Sequence, residues 1–235
     1  MKWKKWALCL CVMALFAGLF TPLSKADLYF EAENVSTNIP NQPNGTAVLK
    51  NYFTSNRSRF ETGNGKVIIL DYKTLKMYSL APETKTYTEQ NLGDVPGLPD
   101  MPAANKQKMA EMMGVLLAVQ ITPTNELRTI GGYNCRKYNL NLAIMNGECW
   151  VSKDVKGYRE LKALGARVGT IAERDPMLRQ INIAGLVEKL DGFPVYMVNH
   201  VLGGRIESTL KKVEQKALDP SLFVVPKDYA LAKSK

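Results

Sequence analysis

The sequence predicts an α+β fold, an antiparallel sheet curling around a methionine-rich amphipathic helix. Three observations carry this. Residues 46–90 form short strand-like runs separated by turn chemistry. Residues 102–121 (PAANKQKMAEMMGVLLAVQI) place Met109, Met112, Met113, Leu116 and Leu117 at i, i+3, i+4, i+7 and i+8, the stripe of a helix with one buried side. Two further helical patterns, at 155–173 and 176–190, are followed by paired strands.

Residues 1–26 stand apart from that fold. Lys2, Lys4 and Lys5 precede an apolar run over 6–20, and Ser24-Lys25-Ala26 puts small residues where a signal peptidase reads. This is the pattern of a cleaved signal peptide, and the apolar run is short for a membrane span. Residues 27–235 are then a single domain, periplasmic or secreted, with no transmembrane segment after cleavage. Loss of four lysines lowers the formal charge from +9 to +5. Without a dense basic block, that charge does not point to nucleic acid.

Strands are expected at 27–34, 46–53 and 57–62. Asn64-Gly65 reads as a two-residue hairpin turn, which sets Phe60 opposite Ile69 and Arg59 opposite Leu70. Residues 66–72 (KVIILDY) are apolar on both faces in the middle, as in a strand covered on both sides. Strands at 76–80 and 86–90 complete a meander. Pro96, Pro99 and Pro102 bar a strand just before the methionine helix, and Thr122-Pro123 ends it. Methionine fills irregular space and repacks readily. Met109, Met112, Met113, Leu116 and Leu117 are therefore core residues and the candidate lining of an apolar cavity.

Further strands are expected at 127–130, 133–144 and 148–152, the last two joined at Asn146-Gly147. An exported chain left with two cysteines, Cys135 and Cys149, suggests a disulfide. The hairpin conflicts with it, because that register puts Cys149 on the face of Tyr138 and Leu140 and Cys135 on the other. The disulfide is retained as the expectation and the simple hairpin is doubted. Asp154 is a cap for a helix at 155–173, whose Gly157, Gly165 and Gly169 lower its propensity; Gly165 and Gly169, with Ala172, either allow close packing or leave the helix frayed or broken. Asp175-Pro176 opens the next helix. Gly203-Gly204 reads as the turn of the last hairpin, pairing Met197 with Leu210 and His200 with Glu207.

Little here suggests catalysis. His200 is the single histidine, no serine stands in a nucleophile elbow, and no glycine-rich loop joins strand to helix. No enzyme activity, metal or cofactor is expected. Arg57, Arg59 and Glu61 alternate along one strand face, as either an anionic head-group site or a solvent-facing ion-pair row.

Three stretches resemble the bacterial exported family called domain of unknown function 4412. They are NRSRFETGNGKVIILDYKTLKMYSLAPETKTYTE, then TIGGYNCRKYNLNL with ECWVSKDV, then GFPVYM followed by SLFVVPKDY. That family looks like a relative of the LolA/LolB-like periplasmic lipoprotein-carrier fold. The resemblance implies a half-barrel, a curled antiparallel sheet with helices covering its concave face. By analogy it implies a binding protein for a lipid, a lipoprotein acyl chain or another apolar group. The alternative is an envelope structural or interaction module with a filled core and a protein partner.

Overall fold

The computed structural model describes residues 27–92, 105, 108, 111–112, 119–143, 145–172 and 188–232. The expected signal peptide lies outside them, as does most of the methionine helix. The described chain forms one open, curled sheet of twelve strands. In sequence they are β1 (Leu28–Thr37), β2 (Gly45–Phe53), β3 (Arg57–Glu61), β4 (Val67–Asp71), β5 (Lys76–Ala81), β6 (Thr86–Asn91), β7 (Gln120–Ile130), β8 (Tyr133–Leu142), β9 (Met145–Ser152), β10 (Phe193–Val201), β11 (Gly204–Gln215) and β12 (Ala230–Leu231). In space the order is β12-β6-β5-β4-β3-β2-β1-β11-β10-β9-β8-β7. Every pairing is antiparallel except the short β12–β6 ladder. The meander β2 to β6 thus joins the hairpins β8–β9 and β10–β11 through β1, which pairs with both β2 and β11. Bulges interrupt β1–β11, β9–β10 and β7–β8, and bulges bend a sheet.

The two faces of the β1–β6 half are treated differently. One carries Tyr29, Tyr52, Arg59, Ile69 and Tyr78 in cross-strand succession. The chain's own C-terminal segment closes it. Leu218, Leu222 and Phe223 pack on Tyr29 and Tyr52, while Val225 and Tyr229 pack on Val67, Ile69 and Leu80. Ile69 is 0% exposed. Asp219 caps the 3₁₀ turn Pro220–Phe223 by accepting from the Ser221 amide at 2.8 Å, and Arg59 donates to the Leu222 carbonyl at 3.0 Å.

On the other face lies α1 (Tyr158–Ala172). Tyr158 and Leu161 join a core of Leu28, Val155, Phe193 and Val195. The helix starts three residues later than Asp154 suggests. Ser152 Oγ instead accepts from the Asp154 amide, and Gly157 takes a left-handed φ of +96° just before the first turn. A Cβ there would stand 2.5 Å from Leu28 Cδ1. Gly165 and Gly169 are buried, in keeping with close packing.

Three turns differ from expectation, with unequal consequences. The β3–β4 loop holds three residues, 63–65, with Thr62 bonded to Lys66 and Gly65 at φ +79°. Phe60 therefore faces Ile68 and Arg59 faces Ile69. A one-residue slip reverses the face of every side chain in β4. The β10–β11 turn sits at Leu202-Gly203, both at positive φ, so Met197 faces Ser208 and His200 faces Arg205. That shift of two keeps the faces. Asn146-Gly147 is no turn: both residues lie inside β9, and Leu142 pairs with Met145. A Cβ at Gly147 would collide with the Val198 carbonyl of β10, so this glycine serves close strand approach.

The disulfide is corrected by the same register. Cys149 pairs with Tyr138, three positions along β8 from Cys135, and both cysteines are buried free thiols. The odd offset puts them on opposite faces, the conflict the hairpin reading already contained. β7 also starts earlier than expected, taking in Gln120, Ile121 and Pro123, with a bulge accommodating the proline.

Candidate functional site

The face of β1–β5 opposite the C-terminal seal is apolar and only half-buried. Phe30, Phe53, Phe60, Ile68, Leu70 and Met77 share it. Phe30 stacks on Phe53 with centroids 5.7 Å apart, and Phe53 meets Phe60 edge-on at 5.5 Å. Phe193 of β10 meets Phe30 edge-on at 5.2 Å. Four phenylalanine rings thus run across the sheet in the offset and edge-to-face geometries aromatic pairs prefer. Ser58, between the rings on β3, is withdrawn: it is fully buried and bonded to the Tyr72 hydroxyl at 2.7 Å.

At one end of this band, Phe53 and Leu28 also line a cavity of about 240 Å³ between α1 and the β1–β2 ends. The helix contributes Glu160, Ala163, Leu164 and Arg167 to it, the i, i+3, i+4, i+7 stripe of one face. Arg167 donates to the Ser55 carbonyl. Glu160 Oε2 is buried and has no hydrogen-bond partner.

A larger groove of about 500 Å³ lies at the β7–β9 end. Its walls are mixed in charge, with Arg128, Arg136, Lys153, Asp154 and Asp191. Lys153 pairs with Asp191, which also accepts from the Tyr158 hydroxyl at 2.9 Å. Lys153 and then Tyr158 hold the Asp191 carboxyl below the usual range. Burial and then Asp191 push the Tyr158 phenol up to about 12.

The sequence-predicted residues are placed as follows. Met112 is helical and 51% exposed, not enclosed as its stripe suggests. Met109, Met113, Leu116 and Leu117 lie outside the described residues. His200 is exposed on β10. Arg57, Arg59 and Glu61 form the ion-pair row. Arg57 bonds Asp71 at 2.9 Å, Arg59 bonds Glu61 at 3.0 Å, and Lys50 lies 3.9 Å from Glu61. Burial raises the Asp71 carboxyl, but the Thr74 amide, Arg57 and the Lys73 amide outweigh it, and the net shift is downward. Cys149 is an inert thiol, pushed up to about 12 by burial and then by Cys135. Sequence reasoning missed the phenylalanine band and Glu160. The signal for the band was present in the alternation of Leu28, Phe30 and Ala32, but it needed the correct β3–β4 register to extend past Phe60.

The model of the family described as Domain of unknown function (DUF4412) matches residues 37–229. The chain belongs to the DUF4412 family. No curated protein sequence matches this DUF4412 member. Among solved structures, PNGF-II in its P21 crystal form superposes with a TM-score of 0.41 at 15% identity, over 89% of this chain and 32% of PNGF-II. The chain thus spans about a third of that protein. The LolA superfamily protein NE2245 of Nitrosomonas europaea gives a TM-score of 0.36 at 7% identity, over 86% of this chain and 91% of its own. LprF of Mycobacterium bovis gives 0.33 at 10% identity, over 88% and 91%. All three TM-scores lie below 0.5, too low to fix a shared fold. Among the described residues no helix is long and apolar enough to cross a membrane.

Proposed function

We propose that this DUF4412 protein is an exported, non-enzymatic binding protein that holds a lipid, or the acyl chain of a lipoprotein, against the phenylalanine band of its sheet. The supporting observation is the inequality of the two faces. One is sealed by residues 218–229, whereas the other leaves six large apolar side chains half-buried. Burying apolar surface is worth roughly 25 cal/mol per Å², so a half-buried band of this size is a standing source of affinity for a chain of methylenes. The rest of the expected stripe, Met109, Met113, Leu116 and Leu117, is proposed as an adaptable wall of the same site. A fluorescent fatty acid titrated into the protein should saturate and be displaced by unlabelled lipid. Phe53→Ala with Phe60→Ala should weaken binding at least about tenfold, on the scale of two lost ring contacts. No saturable binding by the folded wild type would end this reading.

One observation favours a second reading, an envelope interaction module. The sheet ends on β7, an eleven-residue edge strand carrying Leu127 at 76% exposure. Exposed edges pair with other chains unless blocked. A stable partner complex with no associated lipid would support that reading instead.

A further inference from the structure

The cavity beneath α1 holds an unexplained buried group. Glu160 Oε2 has no hydrogen-bond partner, and a buried polar atom left unpaired is costly and calls for an explanation. Three of its polar neighbours bond elsewhere. Asp27 Oδ2 accepts from the Leu218 amide at 3.1 Å. Thr54 Oγ1 serves the Asn56 and Arg57 amides and the Arg57 carbonyl. Arg167 is held by the Ser55 carbonyl. None of these bonds reaches Glu160 Oε2, which stays unpaired.

The surroundings define what kind of donor fits. Arg159, next to Glu160 and lining the same cavity, is exposed and makes no ion pair among the described residues. An unpaired cation and a carboxylate with an unpaired oxygen thus belong to the lining of one cavity. Leu28 and Phe53 form the apolar floor, and Phe53 continues directly into the phenylalanine band. At about 240 Å³ the cavity is smaller than the ~300–1,000 Å³ that encloses a whole drug-sized ligand. It suits a head group whose chains lie elsewhere.

We infer that this cavity is a head-group site for a zwitterionic phospholipid bearing a primary ammonium. Glu160 takes an N–H of the ammonium, Arg159 the adjoining phosphate, and the chains follow Phe53 onto the band. The inference rests on the proposed lipid-binding function and adds the class of lipid. A carboxylate–ammonium bond is charge-assisted and stronger than a neutral one. A quaternary ammonium has the same charge but no N–H, so it leaves Glu160 Oε2 unpaired.

The test compares dihexanoyl phosphatidylethanolamine with dihexanoyl phosphatidylcholine, which share chains, phosphate and net charge. Both are titrated below their micellar concentrations by calorimetry, into protein produced from the full-length sequence as its host processes it. The ethanolamine lipid should bind at least about tenfold tighter, the scale of one charge-assisted hydrogen bond. Glu160→Gln should bring the two within about twofold, with its thermal midpoint showing that it folds. Equal affinities in the wild type overturn the inference, whether or not the variant folds. They leave the lipid-binding reading standing, because both lipids still bind. Binding of neither lipid overturns both. Free phosphoethanolamine competing as well as the short-chain lipid would assign the cavity to a soluble amine phosphate and overturn the lipid assignment.

Discussion

Ile68 and Ile69 are neighbours in the middle of β4 and differ only in the face they present, so replacing each by alanine isolates the inequality of the faces. Ile69 is 0% exposed, packed with Val67, Leu80 and the C-terminal Val225 and Tyr229. Ile69→Ala therefore removes a fully enclosed side chain and leaves a cavity, which costs about 2–5 kcal/mol. Ile68 faces Phe60 and Ser79 on the half-buried side. Full burial of such a side chain is worth about 1.5–3 kcal/mol, so Ile68→Ala should cost about 1 kcal/mol. Strand propensity cancels in the comparison, since both positions share one strand and one substitution. Urea denaturation with an unchanged m-value reads the two losses. Fatty-acid affinity should move the other way, falling for Ile68→Ala and holding for Ile69→Ala. Equal stability losses, or a larger loss at Ile68, would refute both the β3–β4 register and the argument that the two faces are unequally buried at β4.

Further outcomes follow from the same structure. Gly157→Ala forces a side chain into φ +96° and against Leu28, and should cost about 1–3 kcal/mol by denaturation; a neutral result would contradict the entry to α1. The Asp71 carboxyl is depressed on folding, so its stabilisation is present above the unfolded value of about 3.9 and is lost as pH falls through the folded value. Asp71→Asn should therefore be less stable than wild type at pH 7, with the gap closing below about pH 4; a gap independent of pH would contradict the assignment. Cys135 and Cys149 should both label in unfolded, unreduced protein lacking residues 1–26, and only slowly at pH 8 in native protein, where Cys149 is pushed up to about 12. Finding no thiol after unfolding would restore the disulfide.

The meander was readable from its alternation, because a half-buried strand must repeat every two residues. All five of its strands, and β1 before them, stand within about three residues of the expected ends. Turns were read less well, because glycine signals more than one backbone need. Asn64-Gly65 is part of a three-residue loop, and Gly147 sits in a strand because β10 presses against it. Only the first error changed faces, and it hid the extension of the phenylalanine band onto Ile68. The cysteines show a local rule losing to register: an exported pair suggests a bond, but strand parity keeps Cys135 and Cys149 apart. Glu160 was invisible in sequence. A glutamate in the first turn of a helix is the ordinary favourable placement there. Only the packing of α1 against the β1–β2 ends makes its oxygen an orphan.

The central claim, that the phenylalanine band carries a lipid, is tested most directly by native mass spectrometry of the protein isolated from its own host. The account predicts a population heavier than the polypeptide by the mass of one lipid, released by organic extraction and lost in the Phe53→Ala, Phe60→Ala double variant. Protein that is free of lipid as isolated, and that takes up none when offered short-chain phospholipid, would contradict it.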